Sequence, residues 1–129
     1  MTFNTNEWTD YAFESRIRIV KGAVHILARW NNGNFYAAFL NPAGNEVRFA
    51  EWDRKEYIAF GGNEYHVPIN KWVDVRFELQ GDNLSIYIDN ELADSTKRTS
   101  YYNGGIAYYM GGGEEIHFDD IRVWELGSP

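Results

Sequence analysis

Cysteine is absent from this 129-residue sequence. Without it the chain has no disulfide framework, no thiol nucleophile and no cysteine-ligated metal. Many bacterial secreted domains also lack cysteine, so this absence leaves the cellular compartment open. The sequence also has no run of about 18 apolar residues, and no charged segment followed by an apolar one at its amino terminus. We therefore expect neither a membrane span nor a signal peptide in this segment.

Clusters of positive charge are missing as well. The 12 lysine and arginine residues are scattered, and 19 aspartate and glutamate residues bring the formal net charge to -7. Nucleic acids and anionic membranes attract clustered basic side chains, so neither is expected as a partner. No serine occurs in a nucleophile-elbow context, and the glycines at 111–113 are not followed by a helix, which excludes a phosphate-binding loop.

Aromatic residues, in contrast, are abundant. They make up 17% of the chain, as five tryptophans, nine tyrosines and eight phenylalanines. A hydrophobic content of 44% in a chain of this length suits one domain with its own core. A core of this size needs fewer rings, so we expect some of them to lie on a surface that binds a ligand.

The clearest pattern runs from Lys71 to Leu92. Apolar and polar residues alternate on both sides of a Gly81-Asp82-Asn83 turn, and a period of two is typical of half-buried strands. The apolar positions are Val73, Val75, Phe77, Leu79, Leu84, Ile86 and Ile88. This stretch predicts an antiparallel hairpin with one apolar face, which must pack on another sheet because an isolated hairpin is marginal in water.

Similar strands are predicted along the rest of the chain. They cover residues 11–20, 23–30, 35–41, 47–53 and 57–60, and two more lie between residues 104 and 126. Turn signals such as Asn31-Asn32-Gly33-Asn34 and Gly61-Gly62-Asn63 separate them, and the polar residues 93–103 predict a loop. Short strands with turns between them and no helical periodicity indicate an all-β, antiparallel β-sandwich or barrel.

The last predicted strand contains an irregularity. Ile116 and Phe118 share one parity, whereas Ile121 and Val123 share the other. All four can face the core only if the chain gains one residue between them. We therefore predict a β-bulge at Asp119-Asp120.

Three stretches of the chain together resemble a known superfamily. They are HILARWNNGNFYAAFL at 25–40, KWVDVRFELQGDNLSIYIDNEL at 71–92 and GGIAYYMGGGEEIHFDDIRVWEL at 104–126. They look like successive blocks of the concanavalin A-like lectin/glucanase superfamily, and are most similar to its laminin-G-like and family 66-like carbohydrate-binding modules. The resemblance spans about residues 8–126 and implies a single jelly-roll domain over residues 1–129.

Members of this superfamily bind sugars, bind proteins or hydrolyse glycans, so the resemblance leaves three functions open. The first hypothesis is a non-catalytic carbohydrate-binding module that belongs to a larger secreted glycoside hydrolase or surface protein. The second is a laminin-G-like adhesion module with a protein ligand, and the third is a small glycan hydrolase. We favour the first, and the aromatic surplus and the acidic charge favour a neutral glycan over an anionic one as its partner. This hypothesis implies a monomeric domain of a larger protein and an extracellular or cell-surface location.

Sugar recognition combines an aromatic ring, which packs against the apolar face of the sugar, with side chains that hydrogen-bond its hydroxyls. Alternation lets only one residue of an adjacent pair face outward, and of Arg29 and Trp30 we favour Arg29. The predicted ligand-binding residues, the first four of them expected at the surface, are Arg29, Tyr36, Arg48, Trp52, Tyr108 and His25. Trp8, Trp72 and Trp124 are expected to fill the sandwich or cap its edge, because each borders a strongly alternating strand.

Glu51 and Glu56 match the E-x-D-x-x-E spacing of laminarinase-like glucanases in this superfamily, whose outer carboxylates act as nucleophile and general acid. A retaining pair needs carboxyl groups about 5 Å apart, whereas five strand residues separate the backbones by about 16 Å. Arg54 and Lys55 also occupy the interior of the motif, where the family has aliphatic residues. They indicate a solvated turn, so we expect no catalysis here.

Related jelly rolls often bind a structural Ca²⁺, and the resemblance implies such a site near Asp119 and Asp120 with the oxygen-rich residues 4–10. Calcium takes about six to eight oxygen ligands, many of them backbone carbonyls. We favour Asp119 over Asp120 as the ligand. The alternative is that Asp119 accepts backbone N–H hydrogen bonds at the bulge.

Overall fold

The computed structural model describes residues 2–3, 9–101, 103–110 and 113–126. Within these residues the chain forms eleven β-strands, and no helix that is long and apolar enough to cross a membrane occurs among them. The strands are β1 (Thr2–Phe3), β2 (Tyr11–Lys21), β3 (Val24–Asn31), β4 (Asn34–Asn41), β5 (Glu46–Asp53), β6 (Tyr57–Glu64), β7 (Val73–Gln80), β8 (Asn83–Ile88), β9 (Glu91–Lys97), β10 (Gly105–Tyr109) and β11 (Glu115–Glu125).

The strands form two antiparallel sheets. One sheet has six strands in the order β1-β10-β3-β4-β5-β6, and the other has five in the order β11-β2-β7-β8-β9. Short turns join β3 to β6 and β7 to β9 into runs of hairpins, because antiparallel neighbours need only a tight connection. β10 returns from the five-stranded sheet to lie beside β3. The architecture is the predicted all-β jelly-roll sandwich.

The predicted hairpin forms β7 and β8, and its apolar face lies at the centre of the core. Phe77 pairs with Ile86 across the hairpin, and both side chains are fully buried. The Phe77 ring contacts Phe13 of β2 and Phe49 of β5, at centroid distances of 6.3 and 6.1 Å. Because β5 belongs to the opposite sheet, the core lies between the two sheets. Burial of each such side chain stabilises the fold by about 1.5–3 kcal/mol.

The predicted β-bulge in β11 is confirmed. The register against β2 shifts between Asp119 and Arg122, and Asp120 has a positive φ of 51°. Phe118 and Val123, on either side of the shift, both pack against the core. Oδ1 of Asp119 accepts the backbone N–H of Asp120 at 2.9 Å. Asp119 therefore makes a backbone hydrogen bond at the bulge.

Two predicted breaks between strands are wrong. The loop predicted at residues 93–103 begins later, because β9 extends to Lys97 and pairs with β8. β9 is an edge strand whose side chains are mostly exposed, so most of its residues can be polar. Such a strand shows no apolar alternation from which it could be predicted. β6 continues through the predicted break at Gly61-Gly62-Asn63. Gly61 and Gly62, with φ of 63° and 134°, lie where the register against β5 shifts.

Candidate ligand-binding site

A row of small residues crosses the outer face of the six-stranded sheet. The register aligns one residue from each of five neighbouring strands: Ala107, Leu27, Ala37, Ala50 and Ala59. Ala37 and Ala50 are fully buried in a hydrophobic cluster that is separate from the main core. Five strands spaced about 4.8 Å apart give the row a length of about 19 Å. Apart from Leu27 its side chains are short, and together they form the floor between two rows of longer side chains.

Longer side chains flank this floor on both sides. Residues two positions away along each strand share the same face, so the neighbouring rows also point outward. One wall consists of Tyr109, His25, Phe39 and Arg48, and the other of Phe35, Trp52 and Tyr57. We call the floor and its two walls the aromatic groove.

The side chain of Tyr57 crosses the aromatic groove and reaches the opposite wall. Its hydroxyl lies 3.2 Å from Nε2 of His25, and the two ring centroids are 6.0 Å apart. His25 stacks on Phe39 and contacts Tyr109 edge-on, at centroid distances of 4.4 and 5.8 Å. Beside this bridge lies a cavity of about 380 Å³, lined by His25, Leu27, Phe35, Trp52, Tyr57 and Tyr109.

A polar patch adjoins the aromatic groove at Arg48. The amide nitrogen of Asn41 donates to Oε1 of Glu46 at 3.2 Å, and Nη2 of Arg48 donates to Oε2 at 2.7 Å. These hydrogen bonds, first from Asn41 and then from Arg48, lower the pKa of Glu46. We call Asn41, Glu46 and Arg48 the polar patch. The outer face thus offers aromatic rings beside amide, guanidinium and carboxylate groups.

The surroundings of the groove also shift the pKa values of two titratable side chains, His25 and Tyr57. Burial lowers the pKa of His25, and the negative charge of Glu114 opposes that shift. Burial raises the pKa of Tyr57, and the positive charge of Arg48 opposes that one. Both shifts disfavour the charged form, so His25 and Tyr57 are neutral rings near neutral pH.

Three of the predicted site residues lie on this face. His25 and Trp52 line the cavity. Arg48 belongs to the polar patch, and 41% of its side chain is exposed. The structure brings these three together around the aromatic groove, and their contact with a ligand stays a prediction.

The prediction that Arg29 faces the surface is wrong, because Arg29 is completely buried. An irregularity in the β3–β4 register and a positive φ of 50° turn its side chain inward, and the neighbouring Trp30 is 38% exposed. The guanidinium donates four hydrogen bonds of 2.7–3.1 Å to the carbonyl oxygens of Thr9, Gly81 and Tyr101. Arg29 therefore clamps three segments at one end of the sandwich.

The surroundings of Arg29 are specialised for this clamp. Burial lowers the pKa of Arg29, and Asp10, whose Oδ1 lies 3.6 Å from Nη2, is among the groups that oppose the shift. Gly104, with φ of 145°, packs directly on the backbone of Arg29 and Trp30. A methyl group there would lie 2.3 Å from the carbonyl carbon of Arg29, so only glycine fits.

Tyr36, which was predicted at the surface, and Tyr108, which was predicted to bind the ligand, both point into the sandwich. Tyr36 is fully buried, and its hydroxyl accepts the N–H of Tyr101 at 2.9 Å. Tyr108 packs against the core, and burial raises its pKa to about 12. Because side chains alternate along a strand, the adjacent Phe35 and Tyr109 take the outward positions instead.

Four lining residues escaped the sequence-based prediction: Leu27, Phe35, Tyr57 and Tyr109. A usable signal was present in the hairpin of β4 and β5, whose register pairs Phe35 with Trp52 and Tyr36 with Glu51. Once Trp52 is placed outside, this register places Phe35 outside and Tyr36 inside. The floor carries no such signal, because alanine suits either face of a strand.

The candidate catalytic carboxylates are in different environments. Glu51 is 6% exposed and accepts hydrogen bonds from Arg98 and, at 3.1 Å, from Ser100. Glu56 is exposed between β5 and β6, where its N–H donates to Oδ1 of Asp53 at 3.0 Å. One carboxylate is held in a buried ion pair and the other is in solvent, so they do not form a catalytic pair.

Within the described part of the chain, no group of three or more histidine, aspartate or glutamate side chains is placed to hold a metal ion. A calcium site at Asp119 stays a prediction. Residues 4–8 of the loop implicated with it, including Trp8, lie outside the described residues.

The other two tryptophans assigned to structure lie on or next to the five-stranded sheet. Trp72 is partly buried between the guanidinium groups of Arg16 and Arg18, which lie 5.4 and 5.5 Å from its ring centroid. Trp124 lies on the edge strand β11 and is 38% exposed. Neither residue lines the cavity of the aromatic groove.

No family model and no curated protein matches this sequence. The fold is similar to that of the carbohydrate binding module CBM66 from Bacillus subtilis, with a TM-score of 0.77 and 18% identity over 95% of this chain and 76% of that one. It is also similar to the Caenorhabditis elegans galectin LEC-6, with a TM-score of 0.78 and 11% identity over 97% of this chain and 90% of that one. For chicken galectin 2 the TM-score is 0.74 and the identity 8%, over 94% and 96% of the two chains. These likenesses establish the β-sandwich fold alone.

Proposed function

We propose that this protein is a carbohydrate-binding module that binds a neutral glycan in the aromatic groove. The observation that carries the proposal is a cavity between aromatic walls, on the same exposed face as a patch of amide, guanidinium and carboxylate groups. Solved structures with this fold include a carbohydrate binding module and galectins, which supports the proposal.

Binding would combine stacking with directional hydrogen bonds. The rings of Phe35 and Trp52 offer apolar surface to the C–H face of a sugar. Arg48 and Asn41 of the polar patch offer donors to its hydroxyls. The sheet backbone already fixes the spacing of these groups, so little entropy is lost in ordering them when the ligand binds.

The charge of the protein bears on the kind of glycan. A net charge of -7 repels polyanions at long range, so a neutral polysaccharide is the favoured partner. We assign no catalytic step, because Glu51 is held by Arg98 and Ser100. In this proposal the module is monomeric, is secreted or on the cell surface, and brings an attached enzyme or surface protein to its polysaccharide.

Affinity electrophoresis through gels that contain neutral polysaccharides tests this proposal. We expect retardation of the wild-type protein on at least one polymer. Truncating a central aromatic contact typically costs about 2 kcal/mol or more, so Trp52→Ala is expected to weaken binding by roughly 30-fold. Trp124→Ala is the matched control, because this exposed tryptophan lies on the other sheet.

The proposal fails if no polymer retards the wild-type protein. It also fails if Trp124→Ala weakens binding as much as Trp52→Ala, because exposed aromatic rings would then contribute only non-specific binding. A protein ligand that binds through Trp52 while every glycan fails would favour the adhesion module instead.

A further inference from the structure

The cavity beside Tyr57 has few groups that can hydrogen-bond a sugar hydroxyl. None of its six described lining residues carries a carboxylate, an amide or a guanidinium group. The imidazole of His25 and the hydroxyl of Tyr57 already contact each other at 3.2 Å. The remaining polar groups of this lining are the indole N–H of Trp52 and the hydroxyl of Tyr109.

An unmodified sugar ring would lose hydration in this cavity and regain little of it. Burial of a hydroxyl without a partner costs about 1–3 kcal/mol, and a sugar ring carries several hydroxyls. A methyl or acetyl group in the same place contributes about 25 cal/mol per Å² of apolar surface buried. The lining therefore favours a ring whose hydroxyls are partly capped by apolar groups.

The groups suited to free hydroxyls lie next to the cavity rather than in it. Phe39 stacks on His25 at 4.4 Å and pairs with Arg48 across β4 and β5, so it joins the cavity to the polar patch. A ligand that fills the cavity can extend its uncapped hydroxyls over Phe39 to Arg48 and Glu46. The face matches a ligand with one apolar and one hydroxyl-rich part.

We propose that the aromatic groove selects glycans that carry apolar substituents, with acetyl esters as the class to test, and that the cavity holds one substituted sugar unit. This inference rests on the proposed function. The cavity volume of about 380 Å³ is near the lower end of the roughly 300–1,000 Å³ typical of small-molecule sites. It suits a single capped ring, and the Tyr57–His25 bridge closes the groove beside it.

Paired polymers test this selectivity directly. Acetylated xylan and acetylated glucomannan are each compared with the same preparation after alkaline removal of the acetyl esters, by affinity electrophoresis and calorimetric titration. We expect the acetylated form of at least one polymer to bind about tenfold more tightly than its deacetylated twin, which corresponds to about 1.4 kcal/mol.

Two kinds of variant locate the origin of the preference. Trp52→Ala removes a cavity wall and is expected to abolish the difference between the twins. Tyr109→Ala also removes a lining ring and is expected to abolish the difference. Because Tyr109 is 60% exposed, this variant remains informative if Trp52→Ala folds poorly. Arg48→Met changes the polar patch and leaves the six residues that line the cavity unchanged, so it is expected to weaken both forms equally.

Equal or tighter binding of the deacetylated twins would overturn this inference and leave the proposed function standing. A tenfold preference that survives in both Trp52→Ala and Tyr109→Ala would also overturn it, because the cavity would then not be its source. Failure of both polymers in both forms contradicts the inference, and retardation on another neutral polysaccharide would separate that result from failure of the proposed function.

Discussion

The two outer faces of the sandwich follow the same alternation of strand residues, yet they use charges and rings differently. On the five-stranded sheet, Oε2 of Glu14 lies 3.6 Å from Nη1 of Arg76, and Oε1 lies 2.7 Å from Nη2 of Arg122. Trp72, next to that sheet, is flanked by two further guanidinium groups. On the six-stranded sheet, the rings of Phe35, Trp52, Tyr57 and Tyr109 instead line a cavity together with His25 and Leu27.

This difference sets the proposed binding face apart from the other outer face of the sandwich. Several charges on the five-stranded sheet are paired within the protein: Glu14 with Arg76 and Arg122, and Arg16 with Asp74. The cavity on the six-stranded sheet is lined by rings and Leu27, whereas a cavity of about 420 Å³ on the five-stranded sheet is lined mostly by polar and charged side chains. Composition alone cannot separate these cases, because both faces contain tryptophan and arginine.

The largest expected effect is on the free energy of unfolding, and it tests whether Arg29 lies in the interior rather than on either outer face. Arg29→Met would leave the carbonyl oxygens of Thr9, Gly81 and Tyr101 without their donor, so we expect a loss of about 3–5 kcal/mol in the free energy of unfolding. Arg48→Met makes the same chemical change on the outer face, where we expect little change in stability. Denaturant titration measures both. Equal effects in the two variants would contradict the clamp.

The floor of the aromatic groove gives the next largest effect. Ala50→Leu adds bulk at a fully buried position and is expected to cost about 1–3 kcal/mol through overpacking. Ala59→Leu is the matched control, because Ala59 pairs with Ala50 in the same row but is exposed. Thermal unfolding distinguishes the variants. A silent Ala50→Leu would mean that the floor is more open than described.

A smaller effect is expected on the charged face. Glu14→Gln removes the charge between Arg76 and Arg122, and partly exposed ion pairs typically contribute roughly 1 kcal/mol or less. We expect a loss of that size that shrinks as salt is added, and unchanged glycan binding. Unfolding at low and high salt, with affinity electrophoresis alongside, measures both. A loss of glycan binding would move the functional face to the five-stranded sheet.

The smallest effect is the pH dependence of His25. Its pKa in the folded protein lies below the ordinary value of 6.5 because burial disfavours the charged ring. As the pH falls through that range the unfolded chain takes up the proton first, so the free energy of unfolding decreases. Between about pH 7 and pH 5 we expect the wild type to lose more stability than His25→Gln. If the free energy of unfolding changed with pH equally in the wild type and in His25→Gln, the burial of His25 would be contradicted.

The fold was accessible to sequence reasoning because its signals are local. Alternation in β7 and β8 and the turns around glycine and asparagine define most strands, and the parity change around Asp119 identifies the bulge. Most of the polar edge strand β9 was predicted as loop over residues 93–103, because an exposed strand needs no apolar periodicity.

The site was less accessible to sequence reasoning, because the irregularity at Arg29 changes which residues of β3 face outward. Trp52 was expected on the outer face and lies there beside His25, whereas the irregularity at Arg29 turned a predicted surface arginine into an interior clamp. The Tyr57–His25 bridge joins β6 to β3 across two intervening strands. No local pattern encodes that contact, because it depends on the strand order of the whole sheet.

Residue-resolved chemical-shift perturbation tests the central claim most directly. The ¹⁵N-labelled protein would be titrated with the neutral polysaccharide fragment that retards it most strongly. The aromatic groove predicts the largest shifts at residues 25–27, 35–39, 48–52, 57–59 and 107–109, with residues 14–18 and 72–78 unchanged. Shifts concentrated at residues 14–18 and 72–78 would contradict it, because the ligand would then bind the charged face.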